Sequence, residues 1–410
     1  MTPSPSDPPS DSPSEGPAAP SADGPGAPAR FTGDARPYTG GDPYADYRAA
    51  PLPFTHHTDL ADRRLGAGVL AANDEFFAQR ENLLLPGPAV FEPGLFGHKG
   101  KIMDGWETRR RRGPSTGRPH PAGDDHDWAL IRLGAPGVVH GIVVDTAHFR
   151  GNHPRSVSVE ATAVTGTPAP EELGSPEVTW TPLVPRTVVG GHAANGFTVT
   201  AGRRFTHLRL RQYPDGGIAR LRVHGEVVPD PEWLGALGTF DLVALEHGGR
   251  VTDASDRFYS PPENTIRPGR SRRMDDGWET RRRRDGGGDW IRYRLTERAR
   301  IRAVEIDTAY LLGNSAGWAR LSVRDGDHDG DGGDGRGGGG EGGGAWSELL
   351  PMTRLQPDTN HRFVLPEPRV GDGVRIDIHP DGGIARLRVL GELTDDGAAR
   401  LRERHRLLGG

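Results

Sequence analysis

The chain has 410 residues, with Lys+Arg 51 against Asp+Glu 56, a net charge of -5 at pH 7, and no cysteine. That length accommodates two ordinary domains with tails. The missing cysteines exclude disulfides, thiolate nucleophiles and cysteine-bound zinc, and the negative balance argues against a nucleic-acid partner. No apolar run reaches the roughly 18 residues a membrane-spanning helix needs, so no membrane partner is expected. A cytoplasmic location fits the absence of cysteine. Lys99 and Lys101 are the only lysines, so abundance of arginine alone is not evidence of function.

Residues 1–52 are dominated by Pro, Ser, Gly, Ala and Asp. Such a segment cannot bury enough surface to offset its ordering entropy, and it reads as a disordered tail. It has no basic start followed by an apolar run, so it does not read as a secretory signal. Asp59 to Phe77 reads as a short helical opening capped by Asp59, with Leu60, Leu65, Val69 and Leu70 inward. Gly66 to Gly68 should end it early and leave Val69 to Ala72 extended. Beyond it, Trp128 to Leu133, Val138 to Val144, Ser156 to Ala163, Phe205 to Arg211 and Ile218 to Val223 carry strand patterns. Most show the period-two alternation of a strand with one buried and one wet face. Val228 to Leu237, interrupted by Pro229 and Pro231, reads as a linker. The Gly/Asp-rich stretch 325–344 reads as a disordered insertion. Its Asp325, Asp327 and Asp329 imitate the start of a calcium loop, but Arg336 stands where a bidentate Glu is needed. Residues 394–410 read as a charged helix or loose tail.

The chain is built twice. Asp104-Gly-Trp-Glu-Thr-Arg-Arg-Arg-Arg112 recurs unchanged as Asp276 to Arg284, 172 positions on. Upstream, Asp59-Leu60 and Asp241-Leu242 match at an offset of 182, as do Glu81-Asn82 and Glu263-Asn264. Downstream, Asp145-Thr-Ala and Asp307-Thr-Ala match at 162, and Asp215-Gly-Gly-Ile-Ala-Arg-Leu-Arg-Val223 recurs at 166 as Asp381 to Val389. Stepwise offsets mark two homologous domains differing by loop insertions. Short strands, few helices and Gly/Pro-rich joints make each an all-β sandwich or jelly roll.

In the repeated nonapeptide, Trp106 and Trp278 read as packing anchors. Glu107 and Glu279 stand beside arginines, which favours the carboxylate form. An Arg fork matches a planar carboxylate through two parallel N–H donors. Four extended arginines point alternately to two faces, which allows two to face a site while two face solvent or a partner domain. The plainer reading is a solvated charge run paired with acidic neighbours. Asp145 and Asp307 sit where a strand end presents a carboxylate, while Thr146, Thr308, Asn152 and Asn314 could simply tie down the turn. His148, replaced by Tyr310 in the second copy, is a candidate general acid or base. His56-His57, His120 and His126 show no metal-ligand spacing, and only a metal held from separate loops stays open.

These blocks, with Ala71-Ala-Asn-Asp-Glu-Phe-Phe77, Glu81-Asn82-Leu83 and Asp127-Trp128, resemble the allantoicases (allantoate amidinohydrolases). The resemblance runs from about Phe54 to Glu392. It implies two tandem jelly-roll domains of the galactose-binding-like kind, at 53–228 and 238–393. It also implies hydrolysis of allantoate to ureidoglycolate and urea in purine degradation, with no organic cofactor. Allantoate is a small carboxylate bearing two ureido groups on one carbon. Its carboxylate wants an Arg fork, its ureido groups want donors and acceptors, and leaving urea needs a proton. Glu107, His148, Asp145 and Glu279 are therefore the catalytic candidates. Arg109, Arg110, Asn152, Arg281, Asp307 and Asn314 are the substrate-binding candidates, with no metal ligand among them. The alternative is a non-catalytic jelly-roll module for a carbohydrate or small carboxylate, which would show exposed aromatics at loop tips rather than paired Glu–Arg blocks. Whether copies of the chain assemble into a homo-oligomer is left open.

Overall fold

The computed structural model describes residues 30–34, 52–326 and 345–410. Each repeat is a jelly-roll β-sandwich organised by one long strand. In the first repeat this is Asp127–Asp145, which joins what the alternation reads as two strands. Its first half pairs with Arg204–Tyr213 on one side and Gly68–Ala72 on the other, Ile131 opposite Leu208 and Val69. Its second half pairs with Ala193–Thr198 and Arg220–Val227, Val144 opposite Asn195 and Leu221. The exchange of partners carries the strand from one layer to the other. Its inward residues Ile131, Leu133, Val139, Ile142 and Val144 are all buried in the core between the layers. Asp289–Asp307 does the same in the second repeat, against Arg250–Ala254, Asn360–His379 and Arg386–Leu393.

Three expectations change. The opening of repeat 1 is not a helix. Thr58–Asp59 is a short strand, Arg63–Leu65 one 3-10 turn and Gly68–Ala72 a strand. Asp59 is spent on the backbone N–H groups of Ala61 and Val223, and the cap is Asp62, accepting from the Arg64 N–H at 2.8 Å. Second, most of the N-terminal tail lies outside the described residues, but Arg30–Asp34 runs antiparallel to Ala193–Thr198. That strand would otherwise present an open row of backbone donors and acceptors. Third, the linker contains a helix, Pro231–Leu237, capped by Asp230. Of the two readings of the C-terminal segment the structure takes the helix, Asp395–Leu407, with Thr394 accepting from the Gly397 N–H. Its Arg404 reaches back to Glu226 of repeat 1 at 2.6 Å. Positions 327–344 lie outside the described residues, and with them most of the expected insertion; Asp325 pairs with Arg298 at 2.7 Å. Among the described residues no helix is long and apolar enough to cross a membrane.

The repeats are joined through a buried ion pair, Arg267 to Asp62 at 2.5 Å. Burial pushes the Asp62 carboxyl up, but Arg267 and Arg64 together hold it well below the usual carboxylate range.

Candidate active site

The nonapeptide enters each sandwich as a two-residue strand. Trp106–Glu107 pairs with Gly217–Ile218, and Trp278–Glu279 with Gly383–Ile384. Trp106 is completely buried, and its indole N–H donates to the Asp74 carbonyl at 2.8 Å. Glycine is required on both sides of this seam. A Cβ on Gly105 would come within 2.6 Å of the Ile218 carbonyl oxygen, and one on Gly217 within 2.0 Å of the Phe149 ring. The tryptophan anchors the block and the glycines let it lie close, so the next side chain, Glu107, turns outward at a fixed height.

Glu107 is half-buried, and its Oε1 accepts from Asn152 Nδ2 at 2.8 Å. Burial pushes its pKa up, while the Asn152 bond and the Arg110 guanidinium pull it back. Asp215, in the adjoining turn, is also raised by burial, against the pull of an Arg111 N–H bond at 2.7 Å. Arg109 closes on Asp74 at 2.6 Å and Arg111 on Asp127 at 2.6 Å. The tetrad is therefore divided by parity. Arg109 and Arg111 serve carboxylates of their own chain, whereas Arg110 and Arg112 are exposed and make no ion pair among the described residues.

Repeat 2 keeps the frame and differs at the reactive end. Trp278 donates to the Asp256 carbonyl at 2.9 Å, and Arg281 pairs with Asp256 at 2.8 Å. The Glu279 backbone N–H donates to Ser260 Oγ, but Asn314 Nδ2 points to Met274 Sδ at 3.3 Å. Among the described residues the Glu279 carboxylate makes no side-chain hydrogen bond.

The structure thus brings together Glu107, Asn152 and Arg110, and places the other candidates elsewhere. Arg109 and Arg281 are committed to Asp74 and Asp256. Asp145 and Asp307 are buried turn acceptors, taking the N–H groups of Ala147 and Ala309 at 2.7 and 2.9 Å. His148 has a left-handed φ of 68°; its N–H donates to His192 Nδ1 at 2.8 Å, and its Nε2 lies 3.2 Å from the Ala89 carbonyl. Its ring stacks on Phe91. The Ala89 and Phe91 contacts belong to the loop between Gly87 and Asp104, and among the described residues no hydrogen bond joins His148 to Glu107 or Asn152. Tyr310 keeps the left-handed backbone, at φ 66°, but is half exposed.

Two residues that alternation assigns to a wet face are in fact buried and help frame the site. Arg220 pairs with Asp104 at 2.8 Å and donates to the Gly87 carbonyl, also at 2.8 Å. Arg222 donates to the Leu85 carbonyl at 2.6 Å. Repeat 2 copies this with Arg386 on Asp276 and Arg388 on the Arg267 and Gly269 carbonyls. The loop before the nonapeptide covers this face, and its backbone oxygens satisfy the guanidinium groups. Identical Asp-Gly-Gly-Ile-Ala-Arg-Leu-Arg-Val runs in both copies were the available signal.

The allantoicase repeat family matches the chain twice, over residues 58–228 and 240–394. The chain belongs to the allantoicase family. A probable allantoicase of Streptomyces coelicolor is 70% identical over 382 residues, covering 93% of this chain and 98% of that protein. A probable allantoicase of Nocardia farcinica is 50% identical over 349 residues, covering 84% and 97%. Among solved structures, the Saccharomyces cerevisiae allantoicase crystal structure matches with a TM-score of 0.67 and 29% identity over 85% of this chain and 96% of that one. Membership in the allantoicases and the all-β tandem architecture agree with the resemblance drawn from the nonapeptide. As for a metal, the Glu107 site offers one carboxylate beside a guanidinium and an amide, a donor set poorly matched to a dication.

Proposed function

We propose that Glu107 carries the proton transfer in an allantoicase reaction, with Asn152 orienting its carboxylate and Arg110 holding the substrate carboxylate. The chain hydrolyses allantoate to ureidoglycolate and urea. One water is consumed; the bond between the central carbon and one ureido nitrogen breaks; the hydroxyl ends on that carbon and a proton on the departing nitrogen. Urea leaves poorly without that proton, so the site needs a group able to exchange one near working pH. Burial raises the Glu107 carboxyl above its ordinary value, against the pull of Asn152 and Arg110, and the Asn152 bond keeps its orientation fixed. Arg110 is the nearby guanidinium left available for a forked contact to a carboxylate. His148 and Asp145 act as positioning residues for the surrounding loops, and repeat 1 is the working copy.

The single observation that carries this reading is the 2.8 Å Asn152–Glu107 bond, which its counterparts Asn314 and Glu279 do not make. Comparing Glu107→Gln with Glu279→Gln in a urea-release assay tests it. The first should lose most activity and the second little, whereas equal losses would overturn the assignment to repeat 1. A non-catalytic binding module is not favoured, because both repeats match enzymes over their length. A cytoplasmic site of action accords with the cysteine-free composition.

A further inference from the structure

At the junction of the two repeats, side chains far apart in sequence converge. His57, His140 and Glu226 bring one ligand atom each to within 4.8 Å of one another. The His57 and His140 rings stack at 4.4 Å, and His140 Nε2 is buried without a hydrogen-bond partner among the described residues. The His56 ring lies against His57, tilted, at 4.1 Å, and His224 Nδ1 contacts the His57 carbonyl oxygen at 3.1 Å. His57 and Glu226 line a cleft of about 1130 Å³, shared with Arg250, Glu263 and Glu297 of repeat 2.

The second repeat supplies an internal control. By the repeat offsets, His140 corresponds to Arg302, Glu226 to Glu392 and His57 to Thr239. In repeat 2, Arg302 pairs with Glu392 at 2.7 Å, so the carboxylate receives its cation from the aligned position of its own repeat. In repeat 1 that guanidinium is replaced by two imidazoles. Burial disfavours the charged form of both rings, and an imidazole binds a metal through a ring nitrogen lone pair. Glu226 is not neglected: Arg404 holds its Oε2 at 2.6 Å, and Arg250 lies 4.0 Å from its Oε1. A carboxylate has more lone pairs than one guanidinium uses. Arg404 then acts as the outer partner that orients a ligating carboxylate.

We propose that His57, His140 and Glu226 form a binding site for one zinc-class divalent transition ion, separate from the Glu107 site. Two imidazoles and a carboxylate suit Zn²⁺, Co²⁺ or Ni²⁺ rather than Ca²⁺ or Mg²⁺. Around a tetrahedral ion with bonds of about 2.1 Å, donors sit about 3.4 Å apart. Side-chain rotation spans the difference from the present spacing. The ion would tie the first repeat to the junction that Arg404 of the C-terminal helix also reaches.

The test uses tag-free full-length protein, treated with chelator, dialysed and titrated with Co²⁺ and then Zn²⁺. The expected result is saturation at one Co²⁺ per chain with visible d–d absorption, displaced by Zn²⁺, and a rise in melting temperature on metal addition. His140→Arg copies the arrangement of repeat 2, so it should keep the apo melting temperature and weaken binding at least a hundredfold. His57→Gln should weaken it comparably, and serves alone if the first variant does not fold. No saturable binding at one equivalent would overturn the site. So would wild-type affinity in a folded variant, because the metal would then be held by other histidines.

Discussion

Asn152→Ala isolates the interaction that distinguishes the two repeats. The substitution removes one donor, at 2.8 Å from Glu107 Oε1, and leaves the Trp106 anchor and the Gly105 and Gly217 contacts in place. A hydrogen bond to a charged group contributes about 1.5–3 kcal/mol. Glu107 is only half-buried, so the lower end applies: about 1.5 kcal/mol, or roughly a tenfold loss in kcat/KM. The bond favours the ionised form, so its loss adds to the upward push that burial already exerts on Glu107. Whichever way the proton runs, the limb of the pH–rate profile that belongs to Glu107 must move to higher pH. The matched control is Asn314→Ala, which removes a contact to Met274 Sδ and should leave kinetics unchanged. The assay is initial-rate urea release from allantoate between pH 5 and 9 for both variants. A tenfold loss without movement of the limb would refute the link between Asn152 and Glu107. Equal effects of the two variants would refute the asymmetry.

Arg110→Ala should raise KM for allantoate about tenfold or more through loss of a charge-assisted contact. Arg109→Ala breaks an exposed pair and should change stability by less than about 1 kcal/mol; denaturant unfolding and steady-state kinetics on both variants check this. His148→Ala should impair turnover, and His148→Gln, whose amide can still donate toward the Ala89 carbonyl, should restore much of it; failure of the glutamine variant would return His148 to a proton-transfer role. Asp62→Ala leaves Arg267 buried without its partner, and should cost about 3–5 kcal/mol in urea unfolding at pH 7. The folded-state pKa of Asp62 is depressed, so its stabilisation is complete above the ordinary carboxylate range and is lost as pH falls below it. Wild-type stability should therefore decline in acid more steeply than that of Asp62→Ala.

The strands were legible because Leu208 and Leu210, or Leu221 and Val223, alternate with polar residues, and a sheet with one packed face imposes that period. The opening of each repeat misled because the apolar residues Leu60, Leu65 and Val69 are compatible with a helical face. Their burial comes instead from a 3-10 turn and a strand packing on the same core. Arg220 and Arg222 alternate like solvent-facing residues. What buries them is a loop more than 130 positions away in sequence, whose Leu85 and Gly87 carbonyls accept their protons. Local pattern carries no trace of that contact. Within the candidate site, Glu107 and Arg110 stood out through exact repetition, but the motif alone could not say which arginine already had a carboxylate. The Asp74 and Asp127 partners of Arg109 and Arg111 come from other segments. Asn152 and Asn314 occupy identical Gly-Asn steps, and only folding shows that one meets a glutamate and the other a methionine.

Purified wild-type protein and Glu107→Gln should be incubated with allantoate, and urea and ureidoglycolate quantified together over time. Wild type should release the two products in equal amounts without any added nucleotide or organic cofactor, and Glu107→Gln should release little while melting at an unchanged temperature. Absence of urea above background for wild type, under every divalent-metal condition tried, would contradict the function. Wild-type rates in a folded Glu107→Gln would contradict the site.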